Sequence, residues 1–351
     1  MAEEKAAKVF RRLQRVGKAT YSVSLPKKWV VSRGLRPGDL LELGEELDGS
    51  LRVAPVEIRP RFASCTINAE LCRDPRRLAG LVRSSYRAGY DSIRITFSRR
   101  TALEILKDLE GLLRELPGLE VTRETDAEIE LRHILDYGRY PIDDLIRRSQ
   151  MLLSAIFNNL IDFLETRRYE LIPYVRSLRN RLRELHQLFT RLIITYLKRR
   201  EIGRFLRPRS ATHIHSSIVL MNIIEYLAED LIALGEMLPK LKKKIWANPR
   251  VYHALRSLLE YASQLFDETL NAYFSLDFDR ASRVLELSED ELSSALDEVL
   301  KEKTPRDYEF NLFAAQASTF LRNFVRRCRE ISQLILDVFI ELENLICKIE
   351  R

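Results

Sequence analysis

Ten of the first 36 residues are basic (Lys5, Lys8, Arg11, Arg12, Arg15, Lys18, Lys27, Lys28, Arg33 and Arg36), against two acids, Glu3 and Glu4. That segment carries +8 and the whole chain +7, so the other 315 residues sum to −1. Positive charge gathered in one small module, with a near-neutral body attached, is the footprint of a protein that meets the phosphate backbone of nucleic acid. The same charges spread along the chain would be only a solvated face.

Other chemistry-bearing residues do not assemble into a reaction centre. Cys65, Cys72, Cys328 and Cys347 lack the CxxC spacing of a zinc knuckle or a disulfide framework, which fits a reducing, cytoplasmic setting. His213 and His215 sit two apart in "THIHSS"; that spacing diverges on a helix, so a surface loop or helix start is expected there rather than a metal pair. His133, His186 and His253 are isolated, and no Ser-His-Asp, Cys-His or paired-carboxylate motif and no Gly-rich phosphate loop is present. The expectation is a protein that is not an enzyme and holds no cofactor.

The basic module is built from short strands. "TYSVSL" alternates in period two, Pro26 suits the first turn of the helix "KKWVVSR", Gly34 suits the residue beyond its end, and Asp48-Gly49 reads as a hairpin tip before "SLRVAP". Residues 1–57 are too few to bury Val23, Leu25, Val30, Leu40, Leu43 and Val53 alone, so dimerisation is expected. Residues 58–140 alternate strand-like and helical patterns, from "RFASCTIN" through "EVTRETDAEIELRHI", and read as a compact α+β domain with antiparallel strands, a spacer or platform. Residues 141–351 are helical throughout, with helices expected at about 141–167, 169–200, 208–245, 250–275, 279–303 and 305–350. These group as two sets of three, about 141–247 and 248–351. An offset of 109 that places Phe157 on Phe266, Val175 on Val284 and Leu178 on Leu287 supports the grouping. The N-terminus lacks an apolar signal core, and the most apolar stretch, Ile218 to Leu238, is interrupted by Glu225, Glu229, Asp230 and Glu236, so no membrane insertion is expected.

Phe10 to Pro55 resembles the AbrB/SpoVT/MazE family of DNA-binding domains: a basic pair, Gly17-Lys18, an alternating strand, Leu25-Pro26, two basic residues, then Gly38-Asp39 and a strand fall in order. The resemblance implies a swapped-hairpin β-barrel made by two chains. It further implies DNA contacts from Arg11, Arg12, Arg15, Lys18, Lys27, Lys28 and Arg33. One departure is that "GKATYSVSLP" is two residues longer than the commoner spacing, which shifts the loop carrying Lys27 and Lys28 relative to the duplex. The helical half is similar to the PhoU domain, a pair of three-helix bundles in regulators of phosphate uptake, and the three parts together resemble archaeal proteins in which an AbrB-like module precedes PhoU.

Many PhoU domains hold iron or zinc with acidic pairs on two helices of each bundle, and this chain departs from that pattern. Glu225, Glu229 and Asp230 on one helix are matched by "RSLRNRLRE", basic at Arg176, Arg179, Arg181 and Arg183. Glu286 and Asp290 are matched by Arg322 and Arg326. A multinuclear cluster needs negative charge from both helices. The expectation is therefore no metal, with Glu225 and Glu229 facing one or more of Arg179, Arg181 and Arg183, and Glu286 and Asp290 facing Arg322 and Arg326.

The resemblances imply a dimeric or larger transcriptional regulator of phosphate homeostasis that binds double-stranded DNA and whose PhoU-like half receives a signal. Two readings from other classes stand beside it: an adaptor acting by protein contacts on a phosphate ABC transporter or its signalling partner, and an antitoxin-like module.

Overall fold

The computed structural model describes residues 9–45, 49–55, 63–72, 74–98, 109–136, 140–198, 203–288 and 308–341. The chain divides into two compact units, residues 1–61 and 62–351. It is an α+β protein, mostly helical, with small open sheets.

In the first unit, β1 (Gln14–Val16) and β2 (Thr20–Ser22) form an antiparallel hairpin whose turn holds Gly17 at φ +77°, a backbone angle that Cβ-bearing residues rarely adopt. Pro26 precedes α1 (Lys27–Ser32) as its N-cap. Asp39 accepts a 2.7 Å hydrogen bond from the Arg36 backbone N–H and folds the turn into β3 (Leu41–Glu45), which pairs antiparallel with β4 (Leu51–Pro55). The two hairpins are separate two-stranded sheets, and among the described residues of this unit no closed barrel forms and no side chain is buried. Isolated hairpins of this size are marginal in water.

The second unit begins with a four-stranded sheet in the order β5 (Ser64–Asn68), β6 (Ser92–Thr96), β8 (Glu128–His133), β7 (Leu119–Glu124). The sheet is mixed rather than purely antiparallel: β5 and β6 are parallel, because α2 (Pro75–Arg87) carries the chain back across between them. Asp74 caps α2 through the Arg76 N–H at 2.8 Å. The strand-like stretch 120–134 is a hairpin of β7 and β8, since Thr125 receives Glu128 N–H on its hydroxyl and gives its own N–H to the Glu128 carbonyl. Val82, Tyr86, Ile93, Ile95, Leu116, Ile129 and Leu131 form the core beneath one face of the sheet.

The helices that follow are α3 (Ile142–Thr166), α4 (Leu171–Lys198), the short α5 (Gly203–Leu206), α6 (Ala211–Met237), the short α7 (Lys242–Ala247), α8 (Pro249–Ser275), α9 (Phe278–Leu285) and α10 (Tyr308–Phe339). The helix expected at 208–245 is broken at 238–241 between α6 and α7. Helices α3, α4 and α6 pack pairwise, as do α8, α9 and α10, and the two sets join through α3 against α8 and α6 against α10. One continuous apolar core runs through both sets. The sequence offset matches this arrangement: Phe157 and Phe266 are buried on the first helix of each set, Val175 and Val284 on the second.

Candidate functional site

The expected DNA-contacting residues divide between two elements of the first unit. Arg11 and Arg12 precede β1, Arg15 lies in it and Lys18 in the turn that follows, so one hairpin carries all four, each exposed. The Arg15 guanidinium donates to the Lys18 carbonyl at 2.8 Å, which ties that arginine to the turn. Lys27 and Lys28 open α1, exposed, and Arg33 is its C-cap. The same unit exposes Phe10, Leu13, Val16, Tyr21, Leu40 and Leu43. A set of apolar side chains left in water by one chain is what a partner surface covers.

In the helical part, α4 and α6 run antiparallel and are laced by acid–base contacts. Arg176 meets Glu236 at 2.5 Å, Arg179 meets Glu229 at 2.5 Å, and Glu225 lies 3.0 Å from His186 Nδ1. Glu225 thus faces a histidine, not an arginine of 179–183, because the antiparallel register carries it past Arg179 and on to the next inward turns of α4. The other ring nitrogen of His186 lies 2.8 Å from Asn222 Oδ1. Burial pushes the Glu225 carboxyl up, but the His186 hydrogen bond and the charges of His186, Arg183 and Arg179 win and hold it below the usual range.

In the second set the expected pairing falls partly outside the described residues, and Arg322 and Arg326 both lie on α10. Glu286 closes α9 as its C-cap residue, and Arg326 donates to Asn323 at 3.1 Å on its own helix, while Asp290 lies outside the described residues. No three metal-ligating side chains converge among the described residues.

His213 lies at a helix start, as expected, in the first turn of α6, and is buried there. Its Nδ1 accepts the Arg209 backbone N–H at 3.1 Å, so the ring proton sits on Nε2, which faces Asp143 Oδ1 at 3.2 Å. The Arg209 guanidinium adds a 2.6 Å bond to the other oxygen of Asp143. Burial raises the Asp143 carboxyl, but His213 and Arg209 outweigh it and lower it.

Glu225 and Asp143 therefore share a sign. A carboxyl depressed in the folded state contributes stability that is present above its unfolded pKa of roughly 4 and is lost as pH falls through the folded value. Thermal melts taken from about pH 7 to 3 are expected to drop at the acid end. Glu225→Gln and Asp143→Asn should each lower the melting point near neutrality and narrow the gap to the unmodified chain as pH falls. A gap constant across the range counts against these two carboxylates as its source.

A buried arginine that the sequence reading does not single out joins two parts of this unit. Arg191 of α4 is fully buried, and its Nη1 donates to the carbonyl of Tyr86 in the last turn of α2 at 2.7 Å and to that of Tyr90, just beyond the helix, at 2.9 Å. Its guanidinium stacks 5.0 Å from the Tyr86 ring centre and lies 3.7 Å from Asp91. Two turns further on, Lys198 donates to the Ala88 carbonyl at 2.7 Å. Two cations thus meet the carbonyls at the negative end of α2, that of Tyr86 alongside the Gly89 N–H it already accepts at 3.0 Å. Gly89 sits at φ +82°, and a Cβ there would come 2.5 Å from Thr195 Oγ1. Burial first, then the charge of Arg191, pushes the neighbouring His133 down to about 3, so it stays neutral. The middle segment is consequently no loose spacer but is clamped to the helical bundle. An arginine inside the apolar run "LFTRLII" is the sequence signal that marks it.

Set against protein-family models, curated proteins and solved structures, the chain finds no match in any of the three comparisons.

Proposed function

We propose that the chain is a DNA-binding transcriptional regulator, acting as a dimer in the cytoplasm, with an AbrB/SpoVT-like swapped-hairpin module joined to a PhoU-like helical half that tunes phosphate uptake. One observation carries the reading: Arg11, Arg12, Arg15 and Lys18 are gathered, exposed, on a single hairpin of a unit in which no described side chain is buried. A module without a core of its own gains one by exchanging hairpins with a second copy, and the exchange doubles the basic loops presented to a duplex. The phosphate link rests on the sequence resemblance of the helical half and on its division into two three-helix sets.

The test is binding to duplex DNA across a salt series. If two chains together neutralise about six to eight phosphates, log affinity falls against log salt with a slope of roughly −5 to −7. Exchanging Arg11 and Arg12 together for alanine removes up to four of those contacts from a dimer and should make the slope shallower by about 3 to 4. Unchanged affinity and slope in that variant reject the assignment. A chain that stays monomeric in light scattering and binds no DNA points to the adaptor reading instead.

A further inference from the structure

The two edges of the four-stranded sheet differ in how they meet solvent. On β7 the edge is guarded: Glu120, Arg123 and Glu124 are charged and exposed, and the register breaks at a bulge between Val121 and Arg123. Charges and bulges are the usual devices that stop an edge from pairing with another chain. On β5 neither is present. Its sequence, Ser-Cys-Thr-Ile-Asn, has no charge and no proline, its register with β6 is unbroken from Ser64 to Asn68, and no strand pairs with its outer side among the described residues.

The direction of the backbone groups follows from the residue before the strand. The Ala63 carbonyl accepts Asp91 N–H at 2.7 Å and Ser92 N–H at 3.2 Å, and the Ala63 N–H donates to the Asp91 carboxylate at 2.8 Å, so Ala63 faces β6. N–H and C=O groups alternate between the two edges of a strand. Cys65 and Ile67 therefore also face β6, while Ser64, Thr66 and Asn68 turn their N–H and C=O outward, and the side chains of all three are exposed.

We infer that the outer edge of β5 is an interface with a second copy of this chain, the two β5 strands pairing antiparallel about a two-fold axis at Thr66. In that register Thr66 faces the second copy's Thr66, and Ser64 faces the second copy's Asn68. These are the residues whose backbone groups point outward, so each finds a partner, and no like charges oppose one another. The Asn68 carbonyl already accepts the Cys72 thiol at 3.6 Å, and its second lone pair serves the new bond. The four-stranded sheet of one copy then continues into that of the other. The second copy is the one supplied by the dimer proposed above, and the inference deepens that reading by giving the dimer a second contact.

Cysteine at the two-fold position reports the register directly. Hydrogen-bonded antiparallel neighbours have Cα atoms about 5.5 Å apart, inside the roughly 4.4–6.8 Å that a disulfide spans. Full-length Thr66→Cys, oxidised mildly, is expected to run as a covalent dimer without reductant. The unmodified chain and Val121→Cys on the guarded edge should remain single. In the unmodified chain, the N–H groups of Ser64, Thr66 and Asn68 should exchange with deuterium far more slowly than those of an open edge. A chain that is dimeric and binds DNA yet neither cross-links through Thr66→Cys nor protects these N–H groups overturns this interface and leaves the DNA reading standing. A cross-linked, protected chain without salt-dependent DNA binding keeps the interface and removes that reading. Cross-linking only to a co-purifying chain of another mass assigns the edge to a different protein and overturns the inference.

Discussion

Arg191→Met is expected to destabilise the second unit by about 3–5 kcal/mol, the cost of removing one partner from a buried charged network. The side chain is fully buried, and methionine keeps much of its length while withdrawing every donor. The Tyr90 carbonyl would then lose its 2.9 Å bond, a loss of about 1–3 kcal/mol for an acceptor left unsatisfied, while the Tyr86 carbonyl would lose its 2.7 Å bond and keep the Gly89 N–H at 3.0 Å. Asp91 would lose its cation, and the Tyr86 ring its stacked guanidinium. Arg191→Lys should fall between, because an ammonium keeps the charge but cannot fork between two carbonyls and stack at once. Urea titration of the full chain gives the free energy, and a proton resonance of His133 gives an independent readout. With the Arg191 charge removed, His133 should titrate at a higher pH than the value of about 3 it has beside the arginine. A loss below about 1 kcal/mol, the range of surface ion pairs, would mean that the clamp contributes no more than those pairs do.

The same arginine shows where reading the sequence succeeds and where it stops. Periodicity exposes what repeats along one element: the helices after Pro141, the pairing of Phe157 with Phe266 and the strand at Ser92–Thr96 are visible because their burial follows a period of 3.6 or 2. It is silent on what one element does to another. Arg191 breaks the apolar stripe of α4, and nothing local says that the end of α2 supplies its partners. His186 looks isolated because Asn222 and Glu225 reach it from α6, far along the chain. The hairpin of β7 and β8 was hidden for a different reason. Its turn, Thr125 to Glu128, contains neither glycine nor proline, and side-chain bonds from Thr125 do the bending. Of the candidate interface, the charge cluster is fully legible, but the exposure of Phe10, Leu13 and Tyr21 beside it emerges only once the strands are placed.

The seam between the two helical sets gives the second large effect. Phe157→Ala is expected to cost about 3–5 kcal/mol, the usual range for a fully buried phenylalanine cut to a methyl group. Phe157 sits mid-helix on α3, shielded from solvent, and its ring meets Phe324 of α10 edge to face, at 5.8 Å between centres and 89° between planes. Phe324 in turn lies 5.6 Å from Phe320 on its own helix, so a truncation at 157 strips one wall from an aromatic cluster. Collapse into the gap is hindered because α3 is held on three sides, by α4, α6 and α8. Gly235 limits any shift of α3 toward α6, since the Leu160 side chain already stands where a Cβ on that glycine would lie. Phe157→Leu keeps most of the volume and should lose mainly the ring geometry, about 0.5–1.5 kcal/mol. Combining it with Phe324→Leu separates contact from volume: if the edge-to-face pair is what joins the sets, the double variant costs less than the two singles added, by about 0.5–1.5 kcal/mol. Strict additivity would show that the two rings stabilise their own sets independently, and that the junction is held by the remaining contacts of α3 with α8 and of α6 with α10.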